Sequence, residues 1–221
     1  MSAGRLGFDQ ASPEIRALAH DPVMAEVTRS VGDVSVGLED DRFVALARAI
    51  VGQQLSTKAA STIWGRFAAL GPLEPAAVLG HSETQLRGVG LSGSKCTYVR
   101  DLAHRVASGD LDLESLDALD DDAVIADVTR VKGIGRWTAE MFLIFCLARP
   151  DVLAVDDNGL LRAGGWALGL GRAATGAELA AAGEAWRPFR TAASLYLWAS
   201  LDRGLVPRTS QPGGLTPREG S

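Results

Sequence analysis

The segment that most constrains this chain is VKGIGRWTAEMFLIF, residues 131–145, in which a Gly-Ile-Gly turn stands directly in front of a bulky apolar helix. Glycine tolerates positive φ angles, so Gly133 and Gly135 predict a tight turn between two helices. The first amides of the second helix then lack intrahelical partners and lie at the positive end of its dipole. A phosphate group is a natural ligand of such a helix start. A plain helix–helix turn is the alternative that the glycines alone leave open.

A dinucleotide-binding loop does not fit the context of these glycines. That loop requires a third glycine near Thr138, a strand before the turn and a surrounding βαβ unit, and the sequence pattern contains none of them. The segment Lys132-Gly133-Ile134-Gly135 is therefore interpreted as a helix-hairpin-helix whose backbone amides hold a phosphodiester oxygen. The charges of Lys132 and Arg136 flank that position and would strengthen the binding.

The remainder of the 221-residue chain predicts an all-α protein. Alanine and leucine dominate the apolar residues, which make up 47% of the sequence, and these residues recur at helical spacing. We find no ladder of alternating residues that would predict a sheet. No apolar run reaches the roughly 18–20 residues that cross a bilayer, and the N-terminus does not resemble a signal peptide. A cytoplasmic protein without membrane contact is therefore expected, associated with the nucleoid if the source is bacterial.

The few cysteines limit the cofactors that the chain can hold. Cys96 and Cys146 are the only two, and three histidines are scattered along the sequence. They cannot supply a four-cysteine iron–sulfur cluster or a Cys/His zinc site. We expect two packed thiols and no catalytic cofactor.

The net charge of −5 argues at first against a nucleic-acid partner, but its distribution is uneven. Eight carboxylates and no lysine or arginine lie between Asp110 and Asp127, where we expect a solvated face and helix starts. The rest of the chain is net positive. DNA binding depends on the local field, so a basic surface outside the acidic block remains compatible with it.

Four segments in fixed order resemble one known family. They are IVGQQLS at 50–56, VKGIGRWTA at 131–139, VDDNGL at 155–160, and the stretch from Trp186-Arg187-Pro188-Phe189-Arg190 to Trp198. Together they resemble the helix-hairpin-helix superfamily of base-excision DNA glycosylases over residues 43–201. The most similar branch is that of 3-methyladenine DNA glycosylase II, which removes alkylated purines from double-stranded DNA.

The resemblance implies an all-α fold of two lobes with the active-site cleft between them. One lobe would comprise residues 43–149 and contain the hairpin, and the other would join residues 12–42 to 150–208 and carry the catalytic aspartate. Residues 1–11 and 209–221 are rich in glycine, proline or serine and are expected to be flexible. The compact form without an N-terminal β domain, acting as a monomer with no protein partner, is expected.

The family's Asp-x-Gly pattern assigns the catalytic role to Asp157. Cleavage of an N-glycosidic bond passes through an oxocarbenium-like sugar, which a carboxylate stabilises while it orients or deprotonates the attacking water. Asp156 is then a cap or turn residue. The alternative from the residues alone is that both aspartates only cap the helix that opens at Asn158.

The resemblance also implies a wedge and a base pocket. A base must leave the duplex to be cleaved, and a side chain fills the gap that it leaves. Gln54 falls on the wedge position, although it and Gln53 could instead cap neighbouring backbone. Trp137 and Trp198 match aromatic pocket positions, with core packing as the alternative for Trp198. Met141 stands where the branch usually has an aromatic residue, which indicates a roomier pocket.

Further contacts are implied for the hairpin. The residues expected to contact DNA are Gln53, Gln54, Lys132, Gly133, Ile134, Gly135, Arg136 and Thr138. The backbone carbonyls of Thr129, Val131 and Ile134 would hold a structural Na⁺ or K⁺. Lys58, Lys95 and Arg100 are candidates for phosphate contacts, although solvated helix faces are favoured for all three.

Two other functions stay open. The first is a glycosylase of the endonuclease III branch, acting on oxidised or mismatched bases. That branch usually carries the four-cysteine cluster, and its lyases place a Schiff-base lysine where this chain has Trp137. The second is a helix-hairpin-helix module that binds DNA without catalysis.

Overall fold

A computed structural model describes residues 4–207 of the chain. Within that range the protein forms twelve α-helices, two 3-10 turns and one sheet of two short strands. The strands are β1 (Arg5–Phe8) and β2 (Val34–Gly37). The helices are α1 (Pro13–Leu18), α2 (Pro22–Val31), α3 (Arg42–Gly52), α4 (Thr57–Ala68), α5 (Pro75–Gly80), α6 (Glu83–Gly88), α7 (Gly93–Ser108), α8 (Asp121–Val128), α9 (Arg136–Phe145), α10 (Asn158–Ala167), α11 (Gly176–Gly183) and α12 (Arg190–Asp202). The prediction of an all-α fold is confirmed apart from the β1–β2 ribbon.

The N-terminal segment differs from the expectation of flexibility over residues 1–11. Arg5–Phe8 forms β1, which pairs with β2, and the guanidinium of Arg5 donates hydrogen bonds of 3.1 and 2.9 Å to Ser35 Oγ. Next to the strands, Leu38 N donates to the carbonyl oxygen of Gly4 at 2.8 Å. The expected flexible tail at 209–221 lies outside the described residues. None of the helices in the described range is long and apolar enough to cross a membrane.

The chain divides into two compact units. One contains residues 4–7 and 35–154, and the other contains 8–34 and 155–207. The divisions fall at 34/35 and 154/155, whereas the sequence resemblance placed them at 42/43 and 149/150. The hairpin therefore belongs to the first unit and Asp157 to the second.

The first unit is built around α3, α7 and α9. Leu46 and Ile50 of α3, Leu102 of α7 and Leu143 of α9 are fully buried. The helix α7 packs against α3 and α5, and α8 packs against α9. The starts of these helices follow ordinary capping rules, with Asp41 Oδ1, for example, accepting a hydrogen bond from Val44 N at 2.9 Å. The hairpin thus rests on a well-packed apolar layer.

The second unit is built around α12, which packs against α10 and α2. Residues 191–197 of this helix are all buried, so α12 is the core helix of this unit. It begins at Arg190, and Trp186 before it lies in a 3-10 turn. Pro188 separates the turn from the helix, because a proline cannot continue a helix that has already begun.

Candidate active site and nucleic-acid interface

The predicted hairpin joins α8 to α9. Val131 and Ile134 are buried, and the amide of Ile134 donates to the Val131 carbonyl at 3.1 Å. Gly133 has a φ of 82° between them. A Cβ on Gly133 would lie 2.2 Å from Cδ2 of Tyr98, a distance that no real side chain tolerates. This glycine is therefore required by both its backbone conformation and its neighbour.

Gly135 is not required by the fold in either way. Its φ is −98°, which any residue adopts, and a Cβ there would meet no protein atom within 4 Å. Gly135 is the N-cap residue of α9, and glycine offers no side chain to cap the helix. The start of α9 therefore lacks the side-chain cap that eight of the other helices in the described residues have. The space beside Gly135 is open to a ligand that approaches the backbone closely.

The two cations that flank the hairpin differ in their surroundings. Arg136 Nε donates to Oε1 of the buried Glu140 at 3.0 Å, one turn along α9. Lys132 is exposed, and its ammonium forms no ion pair within residues 4–207. Of the two cations, Lys132 is therefore the one that is available to bind a phosphate.

Two side chains on one face of α7, Tyr98 and Asp101, contact the hairpin. Oδ2 of Asp101 accepts a hydrogen bond from the Lys132 amide at 2.9 Å and also contacts Nε of Arg105 at 3.1 Å. Burial acts to raise the pKa of Asp101, but these two partners outweigh it, and the net pKa is lowered. Tyr98, one turn before Asp101, lies against Gly133. The ionised Asp101 and the Tyr98 ring fix the hairpin backbone from the same helix.

The Gln-Gln segment forms the loop between α3 and α4. Gln54 is exposed and has a left-handed backbone with a φ of 57°, which is uncommon for a residue other than glycine. The side chain of Gln53 donates from Nε2 to the Gly133 carbonyl at 2.7 Å. The capping interpretation therefore fits Gln53, whose amide joins this loop to the hairpin. The Gln54 side chain makes no such hydrogen bond to any residue between 4 and 207, and its assignment as the wedge stays a prediction.

Five of the residues predicted for the site line one cavity in the first unit. Its volume is about 520 Å³, and its lining includes Gln53, Gln54, Trp137, Thr138 and Met141. Trp137 and Met141 are one turn apart on α9, so they share a face. The Trp137 side chain is unusually open for a tryptophan, with 47% of its surface exposed. The cavity therefore presents an aromatic ring to whatever enters it.

The remaining polar groups of this cavity offer no nucleophile. Glu39 and Arg48 form an ion pair of 3.7 Å on its lining. The thiol of Cys146 also lines the cavity, but burial raises its pKa to about 12, so it stays protonated at neutral pH. The cavity can bind a planar group and supplies no thiolate to attack it.

In the second unit, Asp157 combines two local functions on one oxygen. It is the N-cap of α10, where Oδ1 accepts a hydrogen bond from the Leu160 amide at 2.8 Å. The same Oδ1 accepts from the indole Nε1 of Trp198 at 2.9 Å. Asp157 is half-buried, whereas Asp156 is exposed. The cap and the catalytic interpretation are therefore compatible, because capping occupies Oδ1 and fixes the direction of the carboxylate.

Gly159 completes this arrangement, and sequence reasoning did not give it a role. A Cβ on this residue would lie 2.9 Å from Asp157 Oδ1 and 3.2 Å from Cδ1 of Trp198. Glycine weakens a helix, so its presence in the first turn of α10 needs a reason. That reason is the space that the hydrogen bond between Asp157 and Trp198 occupies.

We expect Gly159→Ala to slow base excision by about tenfold, which corresponds to roughly 1.4 kcal/mol of activation free energy. The added methyl group would push the indole or the carboxylate out of its present position. Asn158→Ala, at the exposed neighbouring position, is the matched control for the helix start. Single-turnover rates on a lesion-containing duplex measure both effects, and an unchanged rate for Gly159→Ala would contradict this role.

Trp198 and Lys95 make contacts that could not be predicted from the sequence pattern. Trp198 was predicted as a pocket residue, and the structure adds its hydrogen bond to Asp157, 41 residues away. Lys95 was considered for a phosphate contact or a solvated face, but its ammonium donates to the carbonyls of Val51 and Gln53. The only sequence feature that could have indicated these contacts is the spacing of Lys95, Tyr98 and Asp101, which places them on one face of α7.

A glycine hairpin opens an uncapped helix, and about twenty residues later an aspartate caps the next one. Together they are typical of a helix-hairpin-helix repair fold. The family model described as HhH-GPD superfamily base excision DNA repair protein matches residues 47–188. This match covers more than half of the sequence, and the chain belongs to that family.

Individual relatives agree with this assignment. The chain is 34% identical over 158 residues to DNA-3-methyladenine glycosylase 1 of Schizosaccharomyces pombe, covering 69% of each protein. It is similar to the crystal structure of a DNA-3-methyladenine glycosidase from Bacillus halodurans, with 38% identity, a TM-score of 0.83, and coverage of 88% of this chain and 92% of that one. The S. pombe glycosylase Mag1 in complex with abasic DNA has 30% identity, a TM-score of 0.77, and coverage of 86% and 96%.

Proposed function

We propose that this protein is a monofunctional DNA glycosylase of base excision repair, which hydrolyses the N-glycosidic bond of alkylated purines and leaves an abasic site. The observation that carries the proposal is Asp157, a half-buried carboxylate held at the start of α10 by Leu160 and Trp198. It stands in the Asp-x-Gly context of a family whose relatives are named for 3-methyladenine excision. The proposed partner is double-stranded DNA, bound by a monomer.

The chemistry requires little beyond this carboxylate. As the glycosidic bond breaks, positive charge develops on the sugar, and the negative charge of Asp157 stabilises it. The same group can orient or deprotonate the attacking water. An alkylated purine is already cationic and leaves readily, so the mechanism needs no strong general acid.

The preference for alkylated purines is supported by Trp137. An exposed tryptophan face attracts a cationic ring by stacking and cation–π interaction, on the order of 0.5–2 kcal/mol. Met141 beside it is flexible and leaves space within the 520 Å³ cavity. We therefore propose the cationic bases 3-methyladenine and 7-methylguanine as substrates, and the space beside Met141 supports the neutral bases ethenoadenine and hypoxanthine as further ones.

The proposal excludes lyase chemistry on the basis of the α9 side chains. Lyase relatives need a lysine amine at the position of Trp137 to form a Schiff base with the sugar. An indole cannot do this. The ammonium of Lys95, which lies in the same unit, is held by two backbone carbonyls.

The hairpin is the proposed clamp on the DNA backbone. The open space beside Gly135 lets a phosphate approach the first amides of α9, where the helix dipole favours negative charge. Lys132 adds an exposed cation at the same turn. Because these contacts read no base edge, they would position the protein on any DNA sequence.

A monovalent cation at the hairpin is part of the proposal. Carbonyl oxygens are suitable ligands for a hard cation, and each carbonyl has two lone pairs. The Val131 carbonyl accepts one hydrogen bond, from Ile134, which leaves one lone pair for the ion. Thr129 lies at the end of α8, where carbonyls lack intrahelical partners. The Thr129, Val131 and Ile134 carbonyls would hold the ion, which would rigidify the turn.

One assay separates the proposal from its alternatives. Duplexes with a single 3-methyladenine, 7-methylguanine, hypoxanthine or 1,N6-ethenoadenine are incubated with the protein, and strand cleavage is measured with and without alkali. We expect release of free base and cleavage only after alkali. Cleavage without alkali would indicate a lyase of the endonuclease III branch, and binding without base release would indicate a DNA-binding module.

A further inference from the structure

Lys95 is an unusual lysine because its ammonium group binds backbone carbonyls. It lies in the first turn of α7, and its ammonium donates hydrogen bonds of 2.8 Å to the Val51 carbonyl and 2.7 Å to the Gln53 carbonyl. Both carbonyls belong to the end of α3, where the helix dipole favours a positive charge. Burial lowers the pKa of Lys95, as expected of a desolvated ammonium.

The loop that Lys95 holds contains a strained residue. Gln54 has a φ of 57°, and a left-handed conformation costs free energy in any residue with a Cβ. Such a conformation persists only when the surroundings fix it. The carbonyl of the preceding residue, Gln53, is bound by Lys95, and the side chain of Gln53 is bound by the Gly133 carbonyl. On the other side, Ser56 caps α4.

We infer that Lys95 is a positioning residue for the DNA wedge: it fixes the loop backbone so that the side chain of Gln54 projects from the protein, ready to enter the base stack. The inference rests on the proposed function, because it takes Gln54 as the wedge. It assigns Lys95 no contact with DNA. The positive charge acts through the two carbonyls and the conformation of Gln54.

This role gives a signature that differs from that of a phosphate contact. A lysine that binds phosphate contributes equally to every duplex, since backbone charge does not depend on the lesion. A lysine that holds the wedge contributes only where the stack can be entered, as at an abasic site. The ratio of the dissociation constants for intact and abasic duplexes therefore reports the wedge alone.

The test measures this ratio for Lys95→Met, which preserves the length of the side chain and removes its donors. We expect the ratio to fall by about tenfold, with the affinity for intact duplex nearly unchanged. Lys58→Met is the charge-matched comparison, because Lys58 is exposed and its side chain makes no hydrogen bond or ion pair within residues 4–207. An equal loss of affinity for both duplexes in Lys95→Met would overturn the inference and favour a phosphate contact.

A double-mutant cycle with Gln54→Ala supplies the second readout. If Lys95 acts only through the wedge, Lys95→Met should reduce the ratio no further once Gln54 has been truncated. Additive losses would overturn the inference. Thermal unfolding shows whether each variant is folded, and if Lys95→Met is not, Lys95→Gln, which keeps an amide donor, replaces it with a smaller expected loss.

Measurements on the wild-type protein distinguish failure of the proposed function from failure of the role of Lys95. If it releases no base from the lesion-containing duplexes, the proposed function fails; if it releases base without preferring the abasic duplex, the role of Lys95 at the wedge is wrong and the proposed function stands. If it shows the preference and Lys95→Met and Lys95→Gln both keep it in full, the proposed function stands and the role of Lys95 is wrong.

Discussion

Asp157→Asn is expected to bind lesion-containing DNA with nearly normal affinity and to lose excision by at least about 10²–10³-fold, the usual effect of removing a group that stabilises transition-state charge. Asparagine is as good an N-cap as aspartate, and its Oδ1 can still accept from the Leu160 amide and the Trp198 indole. The substitution therefore removes the negative charge and preserves the local structure. Single-turnover excision and a binding isotherm on the same duplex measure the two effects separately.

Asp156→Asn is the matched control for this experiment. Asp156 is the neighbouring carboxylate, it is exposed, and it loses the same charge. We expect its excision rate to stay within about twofold of the wild type, because charges in open solvent are strongly screened. Near-normal excision by Asp157→Asn, or a similar loss in both variants, would mean that the catalytic assignment is wrong.

Asp157 also shows what the sequence could and could not predict. The cap was predictable, because an aspartate before a helix accepts from an amide three residues later and needs only local information. The catalytic role came from the family resemblance. The contact with Trp198 spans 41 residues and depends on how α10 and α12 pack, which no local pattern contains. Gly159 could be explained only once both side chains had positions.

The support of the hairpin by α7 was missed for a similar reason. Lys95, Tyr98 and Asp101 are polar or amphipathic residues at helical spacing, which is typical of a solvated face. Their partners are backbone groups and a glycine of distant segments. Backbone groups carry no sequence signal, so this pattern could not be distinguished from an exposed one.

The two strands were not predicted from the sequence, and the reason is their length. The strands β1 and β2 have four residues each, which is too short for an alternating pattern to be recognised. By contrast, the start of α9 at Arg136 was predicted, because the glycines before it and the apolar run after it are both local signals.

Gly133→Ala is expected to lower the free energy of unfolding by roughly 2–5 kcal/mol, with a loss of DNA affinity of about tenfold or more. A left-handed backbone costs an L-residue about 1–2 kcal/mol, and the new Cβ would overlap the ring of Tyr98, with overpacking of about 1–3 kcal/mol. The displaced hairpin would then misalign the first amides of α9. Denaturant unfolding and duplex binding measure the two losses.

Two further variants separate the contributions of backbone strain, overlap with Tyr98 and DNA contact to the effect of Gly133→Ala. Tyr98→Ala combined with Gly133→Ala removes the overlap, so the double variant should be more stable than the sum of the single losses predicts, leaving mainly the backbone strain. Gly135→Ala has an ordinary φ and open space, so its unfolding free energy should change by less than about 1 kcal/mol. Its DNA affinity should still fall, because its Cβ would occupy the approach of the phosphate. If Gly133→Ala and Gly135→Ala changed stability equally, the hairpin glycines could not have the separate roles that the structure assigns, with Gly133 needed by the fold and Gly135 by the ligand.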